Sequence, residues 1–599
     1  MLVLLSLLLL PAGKGLQAQV DFDGLFLKPE SGVSIKVQSL YDGFPRSGFL
    51  PIHIAIENNT RNTLAWNFKF QIPAYGNNSL SHALRMEVPG GRKAERWVYL
   101  PLGEMGSALG DRYEQVVCQV TGPGVQSGSM RAAMENKAYQ GTGLVLLSER
   151  VGQVNGSAVN DVLEKKEQPK RSRSGWTETL FEERLNRWGK REISLNHTVL
   201  DLRRIPADAR SWAGVEALWL ESKDWQELEP AQQEILQNWV WAGGVLYLLH
   251  TPEEGRGLSL GHWGFADEGK EPLGFGLGRV HPISWSQGVL DAKEAAAEMY
   301  DLLTNPAQPC SEDFEENNWR RRYDLGKFPV PTLWIVVSVL AFVALVGPLN
   351  LWWLAARQRR HLIFISTPLL SLFTVLLLGL AILGYDGMGG TGVRSALVLL
   401  SGGQMPAVVT QEQASRCSFL LKRSFPVEEQ AVLAYLPKSG EPGNRFERSV
   451  DEARGDWFSS RAVKAHFLKY SLPSRAGVEH GSAGSGSLIS RIPATLEVLY
   501  FLDQEGTWWK TGRLRTGESV PLQKVEEKEF EDWLKTSLND TSLNLQFLAQ
   551  SVAGRRGYFY ALSRGQTPGA DFSVPVDTLD SIRWKDDLVL YLGPVGGEK

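Results

Sequence analysis

The fold of this chain is decided by two stretches, TLWIVVSVLAFVALVGPLNLWWL at residues 332–354 and LIFISTPLLSLFTVLLLGLAILG at residues 362–384. Neither stretch contains a charged residue, and each is longer than the roughly 20 residues that a helix needs to cross the hydrocarbon core of a bilayer. Trp334, Trp352 and Trp353 lie near the ends of the first stretch, where aromatic belts form at membrane interfaces. The sequence therefore predicts a two-helix transmembrane hairpin over residues 332–384.

The connector AARQRRH, at residues 355–361, is short enough to be a tight turn at one membrane face. Its three arginines, Arg357, Arg359 and Arg360, indicate the cytoplasmic face because positive residues are enriched there. A second basic group, at residues 320–327, precedes the first span, so the charge count alone does not decide the orientation. Long domains cross the membrane largely regardless of their charge, so an export signal outweighs that count.

The N-terminus supplies such a signal. The apolar run MLVLLSLLLL ends at Pro11, and small and polar residues extend from there as far as Ala18. This pattern predicts a signal peptide over residues 1–18, or an uncleaved N-terminal anchor, and either one exports the chain from residue 19 onward. We therefore expect a two-pass membrane protein with its N- and C-terminal domains extracytoplasmic.

The composition excludes several classes of protein. The chain has 599 residues, 43% of them hydrophobic and 22% charged, which excludes long disordered or collagen-like structure. Its 63 basic and 67 acidic residues show no global attraction to nucleic acid. A mean hydropathy of −0.18 excludes a transporter built mostly of membrane helices. The bulk of the chain is therefore water-exposed and divided into several domains.

Residues 20–138 are predicted to form a β-sandwich domain. Apolar and mixed positions alternate from Phe49 to Ile56, and the same pattern recurs at residues 67–72 and 96–100. The short strands succeed one another without a helix between them, as is typical of a sandwich.

Residues 140–305 predict a doubly wound α/β domain of the flavodoxin-like type. The run GLVLL at residues 143–147 has the continuous apolar character of a buried parallel strand. VEALWL at residues 215–220 and VLYLL at residues 245–249 flank a helix that begins near Pro230. A strand, a helix and a strand in so short a segment form a right-handed crossover.

Three segments carry a resemblance to a known family. The motif LxPxQQxxLxxWVxxGGxL, at residues 228–246, resembles the helix-to-strand segment of class I glutamine amidotransferase-like domains. GLGRV at residues 276–280 and VGPLN at residues 346–350 are similar to segments of their membrane-anchored bacterial relatives. These relatives are largely uncharacterised envelope proteins with an exported β-sandwich before the amidotransferase-like domain, and the resemblance extends over about residues 20–390.

A working amidotransferase needs a nucleophilic cysteine held on a strand-to-helix turn beside a histidine and an acid. This chain has three cysteines, Cys118, Cys310 and Cys417, and none of them lies between residues 119 and 309. We therefore predict no glutaminase activity and no catalytic residue of that kind. A disulfide between Cys310 and Cys417, which flank the hairpin on the same predicted side, stays open.

The carboxyl end of the strand at residues 245–249 is the best candidate for a ligand site, because open α/β sheets bind ligands there. His250, Glu253, Glu254 and His262 come after that strand. They form either a polar rim on a loop or a ligand-binding site.

Other known chemical motifs are missing from the sequence. No histidine pair has the spacing of a metal site, and no Walker A or GxSxG run occurs. The glycines of GFGLG, at residues 274–278, lack the spacing of a dinucleotide loop and predict a tight turn instead. We expect no cofactor and no metal.

Residues 390–599 predict a β-rich C-terminal domain. Its strand candidates lie at residues 396–400, 496–502 and 588–592. Residues 526–538 predict a short amphipathic helix. Trp457, Trp508 and Trp509 are either core residues or a surface for stacking on a sugar or a peptide.

These patterns, together with the resemblance, which implies a bacterial cell (inner) membrane, favour a non-catalytic envelope membrane protein. We expect it to contact the lipid bilayer and to bind or assemble with other membrane proteins. One alternative is an exported hydrolase or carbohydrate-active enzyme that uses the histidine and glutamate residues near 250–262. Another is an accessory subunit of a transporter.

Overall fold

Strands dominate the chain, as the alternating sequence patterns predict. The computed structural model describes residues 20–43, 45, 47–73, 79–102, 113–135, 144–153, 196–251, 273–284, 325, 332–386, 389–418, 420, 424–436, 444–481, 486–539, 543–564 and 582–596. The predicted signal segment, Cys310, Glu253, Glu254 and His262 lie outside the described residues.

The N-terminal region consists of antiparallel strands. They are β1 (Val20–Asp21), β2 (Phe26–Leu27), β3 (Val33–Ser39), β4 (Phe49–Asn58), β5 (Leu64–Pro73), β6 (Ser79–Val88), β7 (Arg92–Pro101), β8 (Tyr113–Thr121), β9 (Val125–Ser127) and β10 (Ser129–Glu135). One sheet has the order β1-β3-β4-β7, a second begins β10-β8-β5-β6, and β2 pairs with β9. Apolar residues of both larger sheets, such as Ile54 and Phe68, are fully buried in a shared cluster.

The central region is a mostly parallel six-stranded sheet. Its elements are β11 (Leu144–Ser148), β12 (Asn196–Leu200), β13 (Val215–Glu221), α1 (Ser222–Glu227), α2 (Pro230–Trp241), β14 (Val245–His250), β15 (Leu273–Phe275) and β16 (Gly278–Ser284), with 3-10 turns at Leu202–Arg204 and Ala209–Ser211. The strand order is β12-β11-β13-β14-β16-β15, and only the β15–β16 pair is antiparallel.

The predicted strand–helix–strand unit is confirmed by β13, α2 and β14. Pro230 occupies the first turn of α2, where its missing N–H leaves no bond unmade. Trp239 donates a hydrogen bond of 3.2 Å from Nε1 to the carbonyl oxygen of Val215. Gly243 lies just after the helix with a φ of +119°, which a residue with a Cβ rarely adopts. The local sequence thus sets both ends of α2 and ties it to β13.

Two apolar helices come next in the chain, and we call residues 332–386 the apolar helix pair. They are built from α3 (Thr332–Ala344), a π-helical turn (Leu345–Leu349), α4 (Asn350–Ala356), a 3-10 turn (Arg360–Leu362) and α5 (Ile363–Asp386). The segments Val336–Ala356 and Ile363–Leu380 are long and apolar enough to cross a membrane, and only 6% and 0% of their residues are buried within the protein.

One polar residue of the first helix, Asn350, forms hydrogen bonds to the second helix. Asn350 donates from Nδ2 to the Thr367 hydroxyl at 3.3 Å, and the Ser366 hydroxyl donates to Oδ1 of Asn350 at 3.0 Å. Such bonds between helices take the place of water, which the hydrocarbon core of a membrane lacks. Pro348 lies in the π-helical turn. Because proline has no N–H to donate to the preceding turn, the helix departs from regular α geometry there.

The C-terminal region contains the largest sheet. Its elements are β17 (Gly390–Leu399), β18 (Ala407–Cys417), β19 (Phe425–Pro426), β20 (Val432–Leu436), β21 (Arg445–Arg448), β22 (Glu452–Gly455), β23 (Ala462–Leu472), β24 (Val478–His480), β25 (Ser487–Ser490), β26 (Val498–Leu502), β27 (Trp508–Thr511), β28 (Ser519–Pro521), β29 (Gln523–Val525), α6 (Glu527–Leu538), α7 (Leu543–Val552), β30 (Tyr558–Ser563) and β31 (Ile582–Pro594). The nine-stranded order is β20-β23-β18-β17-β31-β30-β26-β27-β29, and β24, β25 and β28 form a small separate sheet. The predicted strands and the predicted helix are confirmed by β17, β26, β31 and α6.

The N- and C-terminal regions share a sheet, although the apolar helix pair separates them in the chain. β21 pairs in parallel with β6, with Phe446 opposite Leu80 and Glu447 opposite Ser81. The seven-stranded sheet therefore runs β10-β8-β5-β6-β21-β22-β19. The regions before and after the apolar helix pair therefore contribute strands to the same hydrogen-bonded sheet.

Contacts also join the central region to its two neighbours. The Tyr41 hydroxyl donates to the carbonyl oxygen of Ser211, and Trp241 donates from Nε1 to the carbonyl oxygen of Pro406 at 2.9 Å. Arg555 donates from Nη2 to the carbonyl oxygen of Gly278 at 3.2 Å. The three regions outside the apolar helix pair thus pack against one another.

Candidate functional site

The sheet edge that the sequence indicates contains one described residue of the predicted four. His250 ends β14, at the carboxyl end of the parallel strands, and only 8% of it is exposed. Its Nδ1 atom is buried and has no hydrogen-bond partner among the residues that the structure describes. Glu253, Glu254 and His262 lie outside the described residues, so the proposed grouping with His250 stays a prediction.

The crevice beside this edge lies where the strand order reverses around β11, the usual ligand position in such sheets. Its volume is about 60 Å³. Arg150 binds Asp224 at 3.1 Å and also Glu227, while Arg203 binds Asp201 at 2.9 Å. These ion pairs occupy the crevice with charges that already compensate one another.

The ion pair with Arg150 also affects the ionisation of Glu227. The hydrogen bond from Arg150 lowers the pKa of Glu227. A general acid at neutral pH needs the opposite shift, toward 7. Glu227 therefore stays ionised and serves as an ion-pair partner.

The two described cysteines belong to other sheets than the one that forms this crevice. Cys118 belongs to β8 and Cys417 to β18, and both are fully buried. Burial raises the pKa of Cys118 to about 12 and that of Cys417 to about 11. Neither side chain forms a thiolate near neutral pH, so neither is a nucleophile.

The arginines that the sequence assigns to membrane topology lie in the turn between the two apolar helices. The guanidinium of Arg357 stacks over the Trp353 ring, with its carbon 4.1 Å from the ring centroid. Arg359 and Arg360 come directly after it, and Arg360 begins the 3-10 turn. All three residues are thus at one end of the apolar helix pair.

The tryptophans considered for stacking belong mainly to the core. Trp457 is fully buried and Trp508 is 5% exposed. Trp508 stacks on Phe530 of α6 at 3.9 Å between ring centroids. These two side chains stabilise the C-terminal region and offer no free face to a sugar.

A further cavity, which the sequence did not indicate, lies where the three regions meet. Its volume is about 200 Å³. The lining includes Phe49, Trp97 and Tyr99 from the N-terminal region, together with the charged side chains Arg96, Arg210, Glu429 and Arg448. We call it the junction cavity. The arginines come from segments far apart in the chain, so no local motif announces them.

Arg448 is the most buried charge in the junction cavity, with 3% of its surface exposed. It donates from Nη2 to the carbonyl oxygens of Glu428 and Ala431, at 3.2 and 2.6 Å. Its Nη1 atom has no hydrogen-bond partner among the described residues. Burial lowers the pKa of Arg448 to about 10, and Arg210 lowers it as well. The guanidinium stays charged at neutral pH.

Comparison with protein-family models and with curated proteins finds no match for this chain. Among the described residues, no group of three or more His, Cys, Asp or Glu side chains is placed to hold a metal ion.

Proposed function

We propose that this chain is a non-catalytic, two-pass protein of the bacterial inner membrane, whose extracytoplasmic domains and helices bind or assemble with other membrane proteins. The shared sheet is the observation that carries this proposal. Because β6 and β21 pair, the regions before and after the apolar helix pair must lie on the same side of any membrane that the pair crosses. A hairpin of two spans satisfies that condition, whereas a single crossing does not.

The side of the membrane is inferred from the sequence. The expected export signal at residues 1–18 and the arginine-rich turn at residues 357–360 agree on one orientation, with the turn in the cytoplasm. The large domains are then extracytoplasmic.

The family resemblance supports a flavodoxin-like, amidotransferase-like central domain. In chain order, the five parallel strands are arranged 2-1-3-4-5, which is the flavodoxin-like order. The two larger N-terminal sheets, with their shared apolar cluster, support a β-sandwich in front of it. The ion-paired crevice and the missing cysteine nucleophile support a domain that binds without catalysing.

The apolar helices offer a surface to a partner as well as to lipid. Leu372, Val375 and Leu380 are each more than half exposed. Packing of small and polar side chains, rather than the hydrophobic effect, drives association between helices in lipid. A partner that packs against α5 would cover these positions.

Site-specific photo-crosslinking in bacterial cells tests the proposal. A photoreactive residue is placed at Val375, which is 66% exposed, and at Leu354, which is 3% exposed, as the matched control. We expect a discrete protein adduct from Val375, but none from Leu354, and co-purification of the same partner in mild detergent. A chain that gives no protein adduct and migrates as a lone monomer would contradict the proposal.

A further inference from the structure

The junction cavity contains unmatched positive charge. Among its described charged groups, Arg210 binds Asp208 at 2.6 Å and also binds Glu429. Arg96 and Arg448 are the other two arginines of the lining. No described carboxylate forms an ion pair with Arg448, whose protein partners are two carbonyl oxygens. The three arginines of the lining, set against Glu429 of the lining and the neighbouring Asp208, leave one net positive charge.

His82 adds no charge to this sum. It lies 4% exposed in the lining, and its Nδ1 lies 2.8 Å from the carbonyl oxygen of Arg448. Burial lowers the pKa of His82, and the positive charges of Arg448 and Arg96 lower it further. The imidazole is therefore neutral at neutral pH.

A buried guanidinium without a counter-charge is costly, since burial removes its hydration. The structure offers partial compensation through the Phe49 ring, whose centroid lies 5.4 Å from the Arg448 guanidinium carbon. Full compensation requires an anion, and a guanidinium forms strong charge-assisted hydrogen bonds to a carboxylate. Because both Nη2 protons of Arg448 are already donated to carbonyl oxygens, its contact with a carboxylate is a single hydrogen bond rather than two parallel ones.

The walls of the cavity indicate what accompanies the anionic group. Trp97 and Tyr99 are half-buried there, and Arg210 stacks over the Tyr99 ring at 4.1 Å. A volume of about 200 Å³ exceeds the roughly 150 Å³ that admits benzene in a protein interior. The cavity is therefore large enough for a flat apolar group the size of one ring.

We propose that the junction cavity binds a small organic carboxylate, with its carboxylate toward Arg448 and Arg96 and its apolar part against Phe49, Trp97 and Tyr99. The single net positive charge suits a monoanion rather than a phosphate monoester, which carries a charge of about −1.5 to −2 at pH 7. Because all three regions contribute side chains, the ligand also joins them.

Fluorine NMR on the full chain in mild detergent tests this proposal. The probes are 4-fluorobenzoate, its neutral analogue 4-fluorobenzamide and 4-fluorophenyl phosphate, with empty micelles as a blank. We expect the chain to broaden the benzoate signal and to leave the benzamide signal sharp. Equal broadening of benzoate and benzamide would overturn the role of the charge. Stronger binding of the phosphate ester would overturn the assignment to a carboxylate.

Variants of the cavity residues test whether 4-fluorobenzoate binds in the junction cavity. Arg448→Met should raise the dissociation constant of 4-fluorobenzoate by about tenfold or more, since it removes a charge-assisted pair. Arg96→Gln changes an exposed side chain and should weaken binding without affecting folding. Leu84→Trp should abolish binding by filling the cavity. Unchanged affinity in Arg96→Gln and Leu84→Trp, both folded, would contradict the proposed site.

Discussion

His466 lies on β23 within an aromatic cluster of the C-terminal region and is fully buried. Its Nε2 donates to the carbonyl oxygen of Trp457 at 2.8 Å, and its ring lies 4.7 Å from that of Phe458. Burial lowers the pKa of His466 to about 3, and the nearby charge of Lys464 lowers it further. The folded protein therefore holds this imidazole neutral well below the pH at which a free histidine becomes charged.

This shift makes the stability of the protein depend on pH. In the unfolded chain, the histidine titrates near 6.5. Between pH 6.5 and about 3 the unfolded state binds one more proton than the folded state, so the free energy of unfolding falls as the pH falls. Above pH 6.5 neither state takes up the proton, and this contribution is constant.

We predict that His466→Gln reduces the acid sensitivity of the protein. The wild type should lose up to about 1.4 kcal/mol per pH unit through this group below pH 6.5, and the variant should lack that part. Denaturant unfolding at pH 7 and pH 5 measures the difference. His361→Gln, at an exposed position of the turn between the apolar helices, serves as the control. Equal pH slopes for wild type and His466→Gln would show that the prediction is wrong.

At the scale of residues, the sequence predicts the chemistry of a site only where the residues involved are close together in the chain. The absence of a cysteine between residues 119 and 309 is visible by reading the chain. The surroundings of Arg448 are not, because Phe49 and Arg210 approach it from strands and turns hundreds of residues away. A buried charge can be recognised only after the fold brings its neighbours together.

At the scale of elements, the glycine-rich turn between β15 and β16 contains a position that a residue with a Cβ could occupy only with strain. Gly276 has a φ of +62°, and a Cβ added there would lie 2.3 Å from the carbonyl oxygen of Trp241. The same carbonyl oxygen accepts a hydrogen bond of 2.8 Å from the N–H of Leu277. This turn needs glycine at position 276 for two reasons. The positive φ is unfavourable for other residues, and a Cβ would collide with the end of α2.

We predict that Gly276→Ala destabilises the protein by about 3 kcal/mol or more, through a left-handed conformation and a backbone clash together. Gly91→Ala is the matched control. Gly91 has a φ of +68°, but no atom lies within 4 Å of its added Cβ. The control should cost only about 1–2 kcal/mol. Thermal unfolding of both variants measures this, and equal losses would rule out the clash.

The type of most elements can be predicted from short-range patterns, and their irregularities cannot. Period-two alternation predicts β4 and β5, and helix-start and helix-stop residues predict α2. The apolar stretch at residues 332–354 predicts one continuous span, and the structure adds a π-helical turn at Leu345–Leu349. Pro348 explains that turn once the helix is known, although a proline alone does not specify how a helix adjusts.

At the scale of the whole molecule, the sequence divides the chain into successive regions, and the structure joins the first to the last. β6 and β21 belong to segments that the sequence assigns to different domains. Pairing between strands so distant in the chain leaves no periodic signal, because each strand shows only its own alternation. The apolar helix pair is therefore an insertion between two segments that pack together, rather than a linker between two separate domains.

The proposal that the paired strands β6 and β21 lie outside the cytoplasm can be tested directly with one cysteine pair. Ser81 and Glu447 are opposite each other in the parallel register, and neither is buried. Neighbouring strands lie about 4.8 Å apart, within the range of Cα separations that a disulfide spans.

The measurement is the oxidation state of the Ser81→Cys, Glu447→Cys double variant, read from its mobility on non-reducing gels after expression in bacterial cells. We predict that the disulfide forms without added oxidant, because the compartment outside the inner membrane is oxidising. The two single variants should keep the mobility of the wild type. A double variant that stays reduced in cells, or that forms no disulfide even with added oxidant, would contradict a single body folded outside the cytoplasm.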